Sequence, residues 1–258
     1  MTKLHALRIL LLIMPILFFS CASREKIAYY QNIEQVVGSD ANATFDTKLQ
    51  SDDLLMIVVM AESPEAAAPF NLPSMMIQSN TELETQQLRI NSYLIDSEGF
   101  IQFPVVGAIQ LGGLTRPEAV AKMVTVLKKY IKDPKVNLRI LNFKVTVSGE
   151  VKVPGIQNIT SERITLIEAL SMSGDLTEYG RRDNIMIIRE KNGKKEIGRV
   201  DVTKADFINS PFYYLSQNDH VYVEPNKTKV NASSVGPNTG IIISAISLLL
   251  TVVAIIIR

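Results

Sequence analysis

A few places in the chain bring together side chains that could do chemistry. Asp52 and Asp53 are adjacent, Asp96 lies two residues before Glu98, and Asp219 abuts His220. Paired carboxylates can run general acid–base catalysis when one holds a proton and the other does not. Both pairs fall in turn-like sequence, Ser51-Asp52-Asp53 and Asp96-Ser97-Glu98-Gly99. Aspartate in a turn spends its oxygens on neighbouring backbone N–H groups, so these are expected to be turn formers. His5 and His220 are the histidines, which leaves a metal site or a His-based triad without enough parts. His220 is expected to be structural. No phosphate-binding Walker loop or dinucleotide fingerprint occurs, so the chain is not expected to use nucleotide energy itself. The residues therefore predict neither an enzyme nor a cofactor or metal site.

The single cysteine, Cys21, has a more specific setting. Lys3, His5 and Arg8 precede an apolar run from Ile9 to Phe19, and Ser20 is a small residue just before the cysteine. A basic start, a short apolar stretch and a small residue form an export signal over residues 1–20. The arrangement resembles the lipobox of bacterial lipoproteins, with Phe18 where leucine is common. That resemblance implies diacylglycerol on the Cys21 thiol, cleavage before it, acylation of the new amine, and a membrane-lipid partner. Acyl chains contribute about 0.8 kcal/mol per buried methylene, so such an anchor is firm. Ala22 at the next position is permissive for the outer membrane under the sorting rule of many Gram-negative bacteria.

Removing Lys3 and Arg8 with the signal takes 27 basic side chains to 25, against 26 acidic ones, a balance of −1. No basic stripe predicts nucleic acid as a partner. Trp is absent, so any stacking platform for sugar rings must come from Tyr or Phe. One cysteine excludes an internal disulfide.

The elements that would carry such a lipoprotein form two small modules. Residues 21–45 are polar with a Tyr29-Tyr30 pair and are expected to be a lipidated tether. Leu54 to Val59 reads as an apolar strand after the aspartate turn. Ala61 to Asn91 keeps no periodicity, and its Met75-Met76-Ile77 cluster is expected to be a plug or subunit contact. Tyr93 to Pro104 reads as a hairpin turning at Asp96 to Gly99, with a further strand from Ala108 to Leu111. Thr115 and Glu118 have capping-box spacing, and Ala119, Met123, Val126, Leu127 and Tyr130 give the following helix an inner face. Asp133-Pro134 stops it, and Val136, Leu138 and Ile140 alternate as a strand.

Three pieces of this stretch occur together: the aspartate turn with L-L-M-I-V, then Y-L-I-D-S-E-G-F-I-Q-F-P-V-V-G, then G-L-T-R-P-E-A followed by Y-I-K-D-P-K-V. In order and spacing they resemble the N-terminal domain of the bacterial polysaccharide biosynthesis and export family, the Wza-type outer-membrane translocons. The expected export domain spans residues 46–141.

The second module, residues 142–225, begins with Phe143, Val145 and Val147 alternating into Gly149. Pro154-Gly155 makes a turn, and Ile156 to Thr160 returns. Thr165 and Glu168 again have capping-box spacing, and Gly174 closes that helix. Asn184 to Arg189 and Glu196 to Val200 read as strands about Asn192-Gly193, and Val221 to Val223 completes the unit. V-S-G-E-V-K-V-P-G followed by I-T-L-I-E-A-L-S-M-S-G resembles the soluble-ligand-binding β-grasp (SLBB) domain. No aromatic cluster beside carboxylates is visible here, so a ring-forming structural role is expected over a sugar site.

Residues 226–239 are polar and read as a linker. Gly240 to Ile257 is uncharged and apolar, and is expected to be a transmembrane helix. Its small and hydroxyl residues, Gly240, Ser244, Ser247, Thr251 and Ala254, recur at spacings of four and three along one seam suited to helix packing or to a pore lining.

The expected fold class is therefore α+β: two soluble modules followed by a C-terminal transmembrane helix. The resemblance implies an outer-membrane lipoprotein with its modules in the periplasm, assembled as a homo-oligomeric ring that exports capsular or exopolysaccharide. It also implies an inner-membrane co-polymerase, a chain-length regulator of the tyrosine-kinase type, as partner. The alternative from another class is a lipid-anchored periplasmic scaffold that docks the synthesis machinery to a separate pore. A sugar-processing enzyme is the third reading, and it would need a working carboxylate pair.

Overall fold

The computed structural model describes residues 24–36, 48–72, 92–191, 193–234, 236 and 239–256. Cys21, the signal-like residues 1–20, the Met75-Met76-Ile77 cluster and Asn192 lie outside the described residues.

The first module is built on β1 (Leu54–Met60), flanked antiparallel by β2 (Tyr93–Leu94) and β5 (Lys135–Ile140). Leu55, Ile57 and Val59 point into the core, while Val58 and Met60 on the other face stay exposed. The unbroken apolar run hides this period of two, because its solvent face is apolar as well. At the edge of β1, Asn71 stands in for a strand. Its side chain accepts from Val59 N at 2.8 Å and donates to Val59 O at 2.9 Å. Asn71 follows a short helix, α1 being Ile33–Val36 and this one α2 (Pro64–Ala67), and then a 3₁₀ turn, Ala68–Phe70, that buries Phe70.

The expected turn at Asp96 to Gly99 forms, with Asp96 Oδ1 accepting from Glu98 N and Phe100 N. Its flanks do not pair with each other as a ladder. β2 pairs with β1, and β3 (Phe100–Phe103) pairs with β4 (Gly107–Gln110). Gly99 has φ +87°, and a Cβ on Gly112 would lie 2.6 Å from Gly99 Cα, so two backbones cross here where no side chain fits. Helix α3 (Arg116–Leu127) starts in a complete capping box of Thr115 and Glu118, with Pro117 in its first turn. Ala119, Met123 and Leu127 are fully buried, whereas Tyr130 lies beyond the helix end and is exposed.

The second module is a mixed sheet in the order β10-β9-β12-β6-β7. Its strands are β6 (Lys144–Gly149), β7 (Gly155–Asn158), β9 (Gly180–Lys191), β10 (Lys194–Val200) and β12 (His220–Pro225). β12 runs parallel to β6, and the other neighbours are antiparallel. A small pair, β8 (Ile164–Thr165) with β11 (Tyr214–Leu215), leads into α4 (Leu166–Met172), which carries the second complete capping box. Val145, Val147, Leu166, Ile185, Ile187 and Val221 form the centre of its core.

Two terminal segments differ from expectation. Within the expected tether, residues 24–36 dock on the second module. Tyr30 N donates to Val202 O at 3.3 Å, Gln31 N to Thr203 O at 2.8 Å, and Asn32 Oδ1 accepts from Ala205 N at 2.9 Å. Within the expected linker, Lys227–Ser234 forms helix α5, because Asn226 Oδ1 accepts from Lys229 N at 3.0 Å and caps it.

The C-terminal expectation is corrected. Helix α6 (Thr239–Ile256) has 18 residues. Among the described residues, no helix is long and apolar enough to cross a membrane. At about 1.5 Å per residue, the described part of α6 spans about 27 Å, and it opens on the polar Thr239 and on Gly240. The architecture is α+β with two modules and an exposed apolar terminal helix.

Candidate functional site

The two modules meet around Asn142, and amide side chains build the junction. Asn142 Oδ1 accepts from Leu54 N at 2.9 Å, and its Nδ2 donates to Asp52 O at 2.8 Å, both in the first module. From the second module, buried Gln217 donates to Asn142 O at 2.8 Å and accepts from Lys144 N at 2.8 Å. One residue thus closes the end of β1 and seats the start of β6. Asparagine and glutamine suit this place because each amide can donate and accept at once.

Beside the junction lies a cleft of about 430 Å³. The first module contributes Leu49, Arg116 and Pro117 at the start of α3, and Arg139 and Ile140 at the end of β5. The second contributes Phe143, Gln217 and the Thr160-Ser161-Glu162 loop. The capping box of Thr115 fixes where α3 begins and so directs Arg116 across the cleft. Arg116 Nη2 meets Glu162 Oε2 at 3.3 Å, with both side chains substantially exposed, at 43% and 62%. An ion pair this open to water contributes little to stability.

The loop on the second module's side continues into a row of aromatic rings. Arg163 lies 5.4 Å from the ring centroid of Tyr214, which meets Tyr213 edge-on at 4.9 Å. Tyr213 contacts Phe207 at 5.8 Å, and Phe207 contacts Tyr30 at 5.2 Å. Burial first, then a neighbouring tyrosine, and then Glu168 at the start of α4 raise the pKa of both Tyr30 and Tyr213. No aromatic cluster beside carboxylates is visible in the sequence of this module. The cluster exists because the N-terminal segment delivers Tyr30 to rings from residues 207–214.

Arg189 and Asp219 hold this aromatic row in place. Asp219 is fully buried and takes Arg189 Nη2 at 2.7 Å, with Nε at 3.0 and 3.1 Å from its two oxygens. The same guanidinium donates to Tyr214 O at 2.9 Å and to Pro211 O at 3.2 Å, and stacks 5.0 Å from Phe212. Asp219 also caps the turn at Ser216 N, 2.8 Å away.

The residues singled out from sequence fall elsewhere. Asp53 Oδ2 accepts from Gln50 N at 2.8 Å, and Asp96 Oδ1 serves its own turn, so one carboxylate of each pair bonds local backbone. Burial pushes the Asp53 carboxyl up to about 6. His220 Nε2 sits 2.7 Å from Ser148 Oγ, bridging β12 and β6. Among the described residues, no group of His, Cys, Asp and Glu could hold a metal ion. Gly240, Ser244, Ser247, Thr251 and Ala254 lie on α6. Ser244 Oγ donates to Gly240 O at 2.8 Å, Ser247 Oγ to Ile243 O at 2.9 Å, and Thr251 Oγ1 to Ser247 O at 2.8 Å. These donors are satisfied inside the helix, so the seam offers close approach and lone pairs and no free hydroxyl hydrogens.

A helix-and-sheet module is thus joined through a short amide-locked junction to a mixed-sheet module. Residues 41–141 match the family described as polysaccharide biosynthesis/export protein, and residues 143–223 match the SLBB domain. The chain thus carries a polysaccharide biosynthesis/export domain followed by an SLBB domain. The chain is similar to two proteins named EPS I polysaccharide export outer membrane protein EpsA. One, from Ralstonia solanacearum, is 29% identical over 198 residues, covering 74% of this chain and 52% of the relative. The other, from Ralstonia nicotianae, is 31% identical over 201 residues, covering 74% of this chain and 51% of the relative. The chain thus spans about half the length of these curated relatives.

Proposed function

We propose that this protein exports polysaccharide at the outer membrane of a Gram-negative bacterium, as a homo-oligomeric ring whose modules enclose a periplasmic passage. The observation that carries the reading is the succession of export module and SLBB module, matched in order over residues 41–223. Both related proteins carry polysaccharide export and outer membrane in their names, which supports the same role and place here.

In this reading Cys21 is lipidated. Arg24, three residues on, opens the segment docked on the second module. The first residue bonded to that module is Tyr29, eight residues on from Cys21, and an extended chain reaches at most about 3.6 Å per residue, so the lipid would keep the module within roughly 29 Å of the membrane surface. The seam of Gly240, Ser244, Ser247, Thr251 and Ala254 packs α6 against the same helix of neighbouring copies. Export energy and polymer come from an inner-membrane co-polymerase of the tyrosine-kinase-linked type.

The test is threefold. Protein extracted gently from membranes should run as a large ring by native mass spectrometry and electron microscopy. Cys21→Ser should abolish fatty-acid labelling. Deletion of residues 239–258 should abolish export; retained export would favour the periplasmic scaffold, and a monodisperse monomer would overturn the ring.

A further inference from the structure

The cleft between the modules and the tyrosine row are built on neighbouring stretches of the chain. The same two segments line both: the loop from Thr160 runs through Glu162 and Arg163 into β8, and β11 carries Tyr214 and leads to Gln217 in the cleft. At about 430 Å³ the cleft falls within the size range of small-ligand sites, roughly 300–1,000 Å³.

Its chemistry is selective. Pro117, Ile140 and Phe143 supply an apolar wall of the kind that the C–H face of a sugar ring covers. Thr115 and Gln217 are committed elsewhere, to the α3 capping box and to the junction. Ser161 donates to Arg163 O at 2.6 Å and keeps lone pairs for an incoming hydroxyl. The charged groups on the lining are Arg116, Arg139 and Glu162, with Arg163 next along the surface over Tyr214. Guanidinium therefore exceeds carboxylate at the cleft. A guanidinium fork matches a carboxylate in two parallel hydrogen bonds, a geometry a neutral sugar cannot use. The Arg116–Glu162 pair is exposed enough for an incoming carboxylate to replace Glu162 at little cost.

We propose that this cleft binds an acidic sugar unit, a uronate or another carboxylated saccharide, with Arg139 and Arg116 on its carboxylate and Tyr214 and Tyr213 as the surface along which the glycan continues. The proposal rests on the export reading and names a class of polymer that the passage contacts.

The probe is oligogalacturonate, titrated into the full chain and compared with a neutral malto-oligosaccharide of equal length by calorimetry or NMR. Oligogalacturonate should bind and the neutral oligomer should bind about tenfold more weakly, since the charge-assisted fork contributes on the order of one decade in affinity. Arg139→Gln should weaken oligogalacturonate binding about tenfold, whereas Glu162→Gln, which frees Arg116, should strengthen it. Both side chains are on the surface, so folding is preserved and is verified by circular dichroism. Equal binding of the two oligomers, no binding of oligogalacturonate, or the same direction of change in both variants overturns the site. Ring assembly measured on the same samples separates the two ideas: rings that ignore oligogalacturonate sink the cleft alone, and absence of rings counts against the export assembly.

Discussion

Tyr29 donates a 2.6 Å hydrogen bond to Asp175, 146 residues further along the chain. Asp175 sits at φ +67° and holds Leu176 N with the same Oδ1, so the tyrosine docks on a preformed turn. Burial first, and the bond to Asp175 second, hold the Tyr29 hydroxyl well above its ordinary pKa. Tyr29→Phe removes a bond contributing about 1 kcal/mol, which corresponds to roughly fivefold in a local opening equilibrium. Hydrogen exchange at Tyr30 and Gln31, whose amides bond to Val202 and Thr203, should speed up by that factor while the sheet amides stay unchanged. Unchanged protection at both would show that the segment is held by its rings alone.

Asp219→Ala leaves the Arg189 guanidinium, only 14% exposed, without its carboxylate. Breaking a buried pair from one side costs roughly 3–5 kcal/mol, so urea denaturation should show a loss of that size. The Tyr213 and Tyr214 ring resonances should broaden with it, since Arg189 also ties down Tyr214 O.

Gly149→Ala tests the parallel pairing of β6 with β12. The new Cβ would stand 2.1 Å from Val223 O, at a φ of +88°. The clash and the backbone strain together should cost roughly 3 kcal/mol or more. Gly155→Ala is the matched control, because nothing lies within 4 Å of its added carbon, and it should stay within about 0.5 kcal/mol of the parent.

Asp53 gives the fold a pH signature. Its carboxyl is raised from 3.8 to about 6, chiefly by burial, and Oδ1 has no hydrogen-bond partner among the described residues. The folded state therefore holds the proton more tightly than the unfolded chain. This contribution is fully present below about pH 4 and is lost as pH rises through 6. Its ceiling is about 3 kcal/mol for a shift of roughly two units. Asp53→Asn should flatten the stability profile between pH 4 and 6 in thermal melts; an unaltered slope would place the titrating group elsewhere.

Much of the fold was legible because it is set by local chemistry. Both capping boxes, Thr115 with Glu118 and Thr165 with Glu168, form as their spacing requires. Alternating Phe143, Val145 and Val147 mark a buried face, and the carboxylates of Asp53 and Asp96 serve their turns. The cleft was not legible. Arg116, Arg139 and Glu162 are ordinary surface residues in sequence, and nothing local marks that they share a cavity. The hairpin expected over Tyr93 to Pro104 does not form as a ladder for the same reason: a turn fixes reversal, whereas strand partners are chosen by long-range pairing, which gives β2 to β1.

By itself, the amino-acid sequence determined the helix starts, the turns, the inward faces and the succession of two modules, since these depend on periodicity and on side chains a few residues apart. Tertiary structure alone decided that Tyr30 joins Phe207 and Tyr213 and that Asn142 and Gln217 lock the junction. Those outcomes depend on which distant surfaces bury one another, and contacts separated by dozens of residues leave no local pattern to read.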